Sequence, residues 1–123
     1  MKFVLNGDEP IFIQIAKAIE DEILVGGIEE NEQVPSTTEI SKTYEINPAT
    51  VLKGMNILVE QNILYKKRGR GMFVAEGAKE LIKKARKEKF IKEYVGEFLE
   101  EAKKIGISRE ELIEIIKISE EEV

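Results

Sequence analysis

The chain has 123 residues, no cysteine and no histidine, a formal net charge of -5, and charged side chains at 35% of its positions. That length suits one domain, or a small domain with an appendage, and can bury a modest core without disulfides or metal. Lacking Cys and His, it has no disulfide framework, no thiolate zinc site, no thiol nucleophile and no imidazole base, so the chain reads as a non-enzyme that needs no metal and no cofactor.

The opening MKFVLNGDEP carries one lysine and no apolar run long enough for a signal peptide, and no later stretch reaches the roughly 20 apolar residues of a membrane span. A cytoplasmic protein with no membrane partner is expected.

After a nine-residue arm, Pro10 to Gly26 predicts a first helix, with Ile11, Ile15, Ala18, Ile19, Glu22 and Ile23 at three-to-four spacing and Gly26-Gly27 as its stop. An acidic extended link over 28–34 follows, and Pro35 blocks a helix from running through it. Ser36 with Glu39 forms a capping box that starts a short second helix. Asn47-Pro48 pairs an N-cap with a proline at the first helical position, so a third helix runs to about Asn62 with Val51, Met55, Leu58 and Val59 on one side. The strand-like runs 63–66 and 72–75 flank Lys67-Arg68-Gly69-Arg70-Gly71 and predict a β-hairpin. Three helices and a hairpin make a winged helix-turn-helix.

From Gly77 the composition turns to Lys and Glu. A long helix is expected to about Lys104, with Leu81, Ile82, Ala85, Phe90, Ile91, Tyr94, Phe98 and Leu99 at helical spacing; Gly106 ends it. Ser108 and Glu111 then repeat the capping-box pattern for a last helix. The fold class is mainly α with a small β-hairpin: a winged helix-turn-helix domain over 1–76 and a two-helix dimerisation tail over 77–123.

In a helix-turn-helix the second helix enters the major groove through its N-terminal residues. Here these are Asn47, Pro48, Ala49, Thr50 and Lys53: a helix-starting pair, a methyl suited to thymine, a hydroxyl, and a cation for phosphate or guanine, with the Asn47 amide suited to adenine. Ser36, Thr37 and Thr38 open the preceding helix, where hydroxyls and free N–H groups suit a phosphate. Lys66, Lys67, Arg68 and Arg70 crowd one hairpin tip of an acidic protein, too far from a core to stabilise it by packing. Something anionic should meet them. Arg68 or Arg70 can enter a minor groove, with Gly69 and Gly71 allowing a sharp turn and close backbone approach.

The run from Pro10 to Val74, with P-I-x-x-Q-I, V-P-S, N-P-A-T-V and R-G-R-G-x-F-V in order, resembles the winged-helix domain of the GntR family of bacterial transcription regulators, and in detail its short-tailed YtrA-like subfamily. The resemblance implies a sequence-specific DNA-binding regulator, a repressor, acting on a pseudo-palindromic operator and commonly on a neighbouring transporter operon. It implies contact with double-stranded DNA through Ser36 to Thr38, Asn47 to Thr50 with Lys53, and the wing from Arg68 to Gly71; Lys67, at the same tip, is counted with the expected DNA-binding residues. It also implies a homodimer held by the tail helices. Many members have arginine at the positions of Thr38 and Leu52, so this chain has two fewer cations on the expected DNA face. The tail is too short for the roughly 300 Å³ of an enclosed small-molecule site, which leaves an unidentified effector only the dimer interface.

Residues 1 to 75 hold eight Lys or Arg against eleven Asp or Glu, and the alternative is a winged helix that binds a partner protein without DNA. Charge placement separates the two readings. Acids at 20–22 and 29–32 that share the face of Lys53 and Arg70 would favour the protein partner. Glu20, Asp21 and Glu22 read as a solvated acidic face, since adjacent helix positions point in different directions.

Overall fold

The computed structural model describes residues 6–122; residues 1–5, which begin the expected arm, and residue 123 lie outside the described residues. The chain divides into two compact units between Lys84 and Ala85.

In the first unit, helix α1 spans Ile11–Leu24 with Pro10 at its N-cap position. It closes as expected at the glycine pair: Gly26 adopts φ +81°, and the Gly27 N–H donates back to the Glu22 carbonyl at 2.9 Å. Its buried stripe is Ile15, Ile19 and Ile23. Ile11, expected on that stripe, is 43% exposed, and the buried residue of the first turn is Gln14. The Gln14 amide is occupied by the arm: its nitrogen donates to the carbonyls of Asn6 (2.9 Å) and Glu9 (2.6 Å), and its oxygen accepts from the Asn6 N–H (3.0 Å). A salt bridge of 2.7 Å from Lys17 to Glu9 adds to the attachment.

Helix α2 spans Thr37–Tyr44 and α3 spans Pro48–Glu60. The capping box forms in both directions, with the Ser36 hydroxyl accepting from the Glu39 N–H at 3.0 Å. Between the helices Glu45 turns left-handed at φ +54°, and the Ser41 hydroxyl donates to the Ile46 carbonyl at 2.6 Å, which fixes the turn from the side chain. Strands β1 (Leu64–Lys67) and β2 (Gly71–Val74) pair antiparallel, with Leu64 opposite Val74 and Lys67 opposite Gly71. The expected five-residue turn is therefore three residues long, Arg68 to Arg70, because Lys67 and Gly71 belong to the ladder.

The link before α2 is extended in part and is used as a partner for β2. Val34 donates to the Met72 carbonyl (3.0 Å), Asn31 to the Val74 carbonyl (2.7 Å), and Val74 to the Glu32 carbonyl (3.0 Å), so the inner edge of the hairpin is covered. One core joins α1 to Ile40 of α2, to Val51, Met55 and Leu58 of α3, and to Leu64 and Val74 of the hairpin. Helix α4 spans Ala78–Lys89, and its first turns bury Ala78 and Ile82 in the same core.

In the second unit the long helix is not uniformly α. A six-residue π-helical segment, Phe90–Val95, joins α4 to α5 (Gly96–Lys104). The sequence pattern predicts one continuous helix and gives no sign of this wider segment. Gly106 at φ +78° ends α5, with Ile107 donating to the Ala102 carbonyl at 2.9 Å, and the Ser108 hydroxyl accepts from Glu111 (3.1 Å) to start α6, Arg109–Glu122. Ala102 and Leu112 are buried, while Phe90, Ile91, Tyr94, Phe98, Leu99 and Ile116 remain exposed.

Helices α1 and α3 cross at Gly54. A Cβ there would stand 2.6 Å from the Phe12 carbonyl oxygen and 3.2 Å from Ile15, and the backbone atom cannot step aside. Gly54→Ala should lose on the order of 1–3 kcal/mol of stability by overpacking, despite gaining about 1 kcal/mol of helix propensity. Denaturant unfolding checks the sign: a stabilised variant would mean the crossing is loose.

Candidate nucleic-acid interface

The hairpin tip is built from side chains on both sides of the ladder. Leu64 and Val74 face the core, so their neighbours Tyr65 and Phe73 stand on the other face, where their rings stack at 5.7 Å and 22°. Lys67, two residues beyond Tyr65, shares that face and places its ammonium 4.7 Å from the Phe73 ring and 5.9 Å from the Tyr65 ring. The Arg70 guanidinium lies 6.0 Å from the same Phe73 ring. Two cations thus share one aromatic seat, which offsets part of their mutual repulsion while keeping both charges at the surface. Arg68 and Gly69 form the exposed turn between them, closed by the Arg70 N–H on the Lys67 carbonyl at 2.9 Å.

Gln33 braces this turn from the link. Its amide nitrogen donates to the Arg70 carbonyl at 2.7 Å, and it can do so because residue 71 is glycine: a Cβ there would stand 2.7 Å from that same nitrogen. Gly69 and Gly71 both have positive φ, +74° and +112°, so the R-G-R-G spacing answers two backbone demands and one close approach.

The helix starts are placed as their caps dictate. Ser36 and Thr37 are half-buried, and Thr38 is exposed on the first turn of α2. Asn47, Pro48 and Ala49 are exposed at the start of α3, and Thr50 is half-buried. The Asn47 side-chain oxygen accepts from the Ala49 N–H at 2.8 Å. Capping therefore takes one lone pair of that oxygen, which leaves its second lone pair and the amide NH₂ for an outward contact. Leu52 is exposed on α3. Lys53 is also exposed, but its ammonium lies 4.0 Å from the centre of the Phe12 ring on α1.

The acids at 20–22 and 29–32 lie elsewhere, whereas Glu39 stands beside Ser36 on the first turn of α2 as its capping-box partner. Glu30 accepts from the Gly77 N–H (2.8 Å) and Glu32 from the Glu29 N–H (2.7 Å), at the open end of the hairpin away from the tip. Glu20 to Glu22 lie in the last turns of α1, about 12–15 Å along the helix axis from Phe12, the residue beneath the Lys53 ammonium. Among the described residues no group of His, Cys, Asp and Glu could hold a metal ion, and no helix is long and apolar enough to cross a membrane.

Gln33, Phe12, Phe73 and Gly54 carry much of this geometry, yet sequence reasoning assigned none of them a role at the site. Phe73 was visible within R-G-R-G-x-F-V as a strand residue. The other three act through tertiary contacts that no local pattern announces.

Residues 13–74 match the model described as "Bacterial regulatory proteins, gntR family". Among relatives, the HTH-type transcriptional repressor YtrA of Bacillus subtilis is 33% identical over 70 residues, 57% of this chain and 54% of that protein. The chain spans between 29% and 54% of the length of the first three curated relatives it matches. Among solved structures, a chain described as a GntR-family transcriptional regulator from Bacteroides thetaiotaomicron is 40% identical, with a TM-score of 0.77 over 91% of this chain and 97% of that one. The DNA-binding domain of AraR in complex with operator ORX1 is 26% identical, with a TM-score of 0.56 over 61% of this chain and 96% of that one. With its winged helix spanning the matched region, this chain belongs to the gntR family of bacterial regulatory proteins.

Proposed function

We propose that the chain is a sequence-specific DNA-binding transcriptional regulator, a repressor, that holds a pseudo-palindromic operator as a homodimer. The observation that carries this reading is the wing tip: cations gathered on one aromatic seat, with the turn locked by Gln33, on a protein that is otherwise acidic. Likeness to an operator-bound domain supports it. So does the placement of the acids at 20–22 and 29–32 away from Lys53 and the wing tip, since acids sharing that face would have favoured a protein partner.

On this reading Ser36, Thr37 and Thr38 hold a phosphate at the start of α2, and Asn47 to Thr50 face the major groove, Asn47 as a donor and Ala49 as an apolar contact. Arg68 and Arg70 reach the neighbouring minor groove, Lys67 supports them, and Gly69 and Gly71 let the backbone come close. The missing arginines at positions 38 and 52 lower the phosphate count and make the wing's share larger.

The tail supplies the dimer. Its two helices bury little of their own apolar surface, and they line an open groove of about 690 Å³ between Tyr94, Phe98, Ile105, Leu112 and Ile115. A second copy covering that face removes exposed apolar area and doubles the DNA footprint at once. Any small-molecule effector would share the same groove.

Selection from a random DNA pool at low and moderate salt should enrich a two-fold motif with the wild type. Arg70→Ala should lose roughly 1–3 kcal/mol at the wing-contacted positions. No enrichment at low salt would overturn the DNA reading. Light scattering should report a dimer for the whole chain and a monomer for a chain ending at Lys84, which keeps Ala78 and Ile82 in place; a dimeric truncation would move the interface into the winged helix.

A further inference from the structure

A cation on the groove helix has two uses, to read guanine or to neutralise a phosphate, and the geometry points to the second for Lys53. Its ammonium is drawn off the leading turn of α3 onto the Phe12 ring of α1, at 4.0 Å. This contact depends on the neighbouring residue. Gly54, with no side chain, lets α3 approach the Phe12 backbone closely enough for a lysine one position earlier to reach across the ring. The ring face engages the cation without consuming its N–H donors, so the ammonium is steadied in one place and keeps its donors for an outside partner.

We infer that Phe12 is a positioning residue that presents the Lys53 ammonium to a DNA phosphate, so that Lys53 contributes affinity and salt dependence but no base preference. The inference rests on the DNA-binding reading above. Preorganisation is the source of the gain: a free lysine loses several rotatable bonds when it docks on a phosphate, and one already seated on a ring loses fewer. Lys53 then releases counterions like any phosphate contact, and sequence is read by the first turn of α3 and the wing.

The test measures binding of the full chain to its selected operator and to an unrelated duplex, by fluorescence anisotropy over a range of salt, with wild type, Lys53→Ala, Phe12→Leu, Phe12→Tyr and the double variant Phe12→Leu/Lys53→Ala. Thermal unfolding of each variant accompanies it. Lys53→Ala should weaken both DNAs by the same factor and lower the salt slope by about one. Phe12→Leu, which keeps apolar volume and loses the ring, should cost roughly two- to fivefold on both DNAs, the equivalent of an exposed cation–π contact. Phe12→Tyr should restore wild-type binding, and Phe12→Leu should cost nothing further once Lys53 is Ala. Equal cost of Phe12→Leu in both backgrounds would make Phe12 merely structural. A loss confined to the operator would make Lys53 a base reader, and either result overturns the inference. A wild type that binds neither duplex at the lowest salt would instead overturn the DNA-binding reading itself.

Discussion

The crossing of α1 and α3 at Gly54 governs the rest of the winged helix. With no Cβ between them, the two helices approach closely enough for Ile15 and Ile19 to lock with Val51 and Met55, and that packing fixes the angle at which the start of α3 is offered to the outside. The hairpin follows from the same core, since Leu64 and Val74 pack into it and Val34 anchors the link that runs beside β2. The wing's reach is therefore set by packing on one face of the ladder and by polar and aromatic contacts on the other. Position comes from the core, and fine aim comes from Gln33 and Phe73.

Much of this was legible in the sequence because the signals are local. Ser36 with Glu39 and Asn47 with Pro48 start helices by hydrogen bonds within four residues, and the glycines at 26, 69 and 106 mark backbone that only turns of positive φ require. The misreadings have physical causes of equal clarity. Ile11 fits the apolar period of α1, but the arm returns over that turn through Gln14, so the period alone pointed to the wrong residue. Lys67 and Gly71 look like turn residues by composition, and the ladder claims them because a three-residue turn closes the hairpin without them. The aromatic seat of Lys67, the ring beneath Lys53 and the brace from Gln33 link residues of different elements, or opposite strands, and no single-strand or single-helix period encodes such pairs.

The tail gives a different lesson about periodicity. A run of Lys, Glu and apolar residues at three-to-four spacing reads as one helix, and the chain is indeed helical from Ala78 to Lys104. The π-helical segment at Phe90–Val95 carries Phe90 and Tyr94 with their rings 5.8 Å apart, and Tyr94 lines one groove together with Phe98 and Ile105 beyond it.

The concentration of positive charge at a braced tip has a kinetic side. At physiological ionic strength a charge is felt over about 8 Å, so an approaching polyanion senses only the local patch nearest to it and not the sum of the chain. Over most of the acidic surface that local field repels. On the DNA-binding reading proposed above, a duplex arriving in the wrong orientation would be turned away early, and one that met the wing and the start of α3 would stay longer. On that reading the net negative charge, which would seem to argue against a nucleic-acid partner, would serve as an orientation filter, giving a slower encounter with fewer idle collisions.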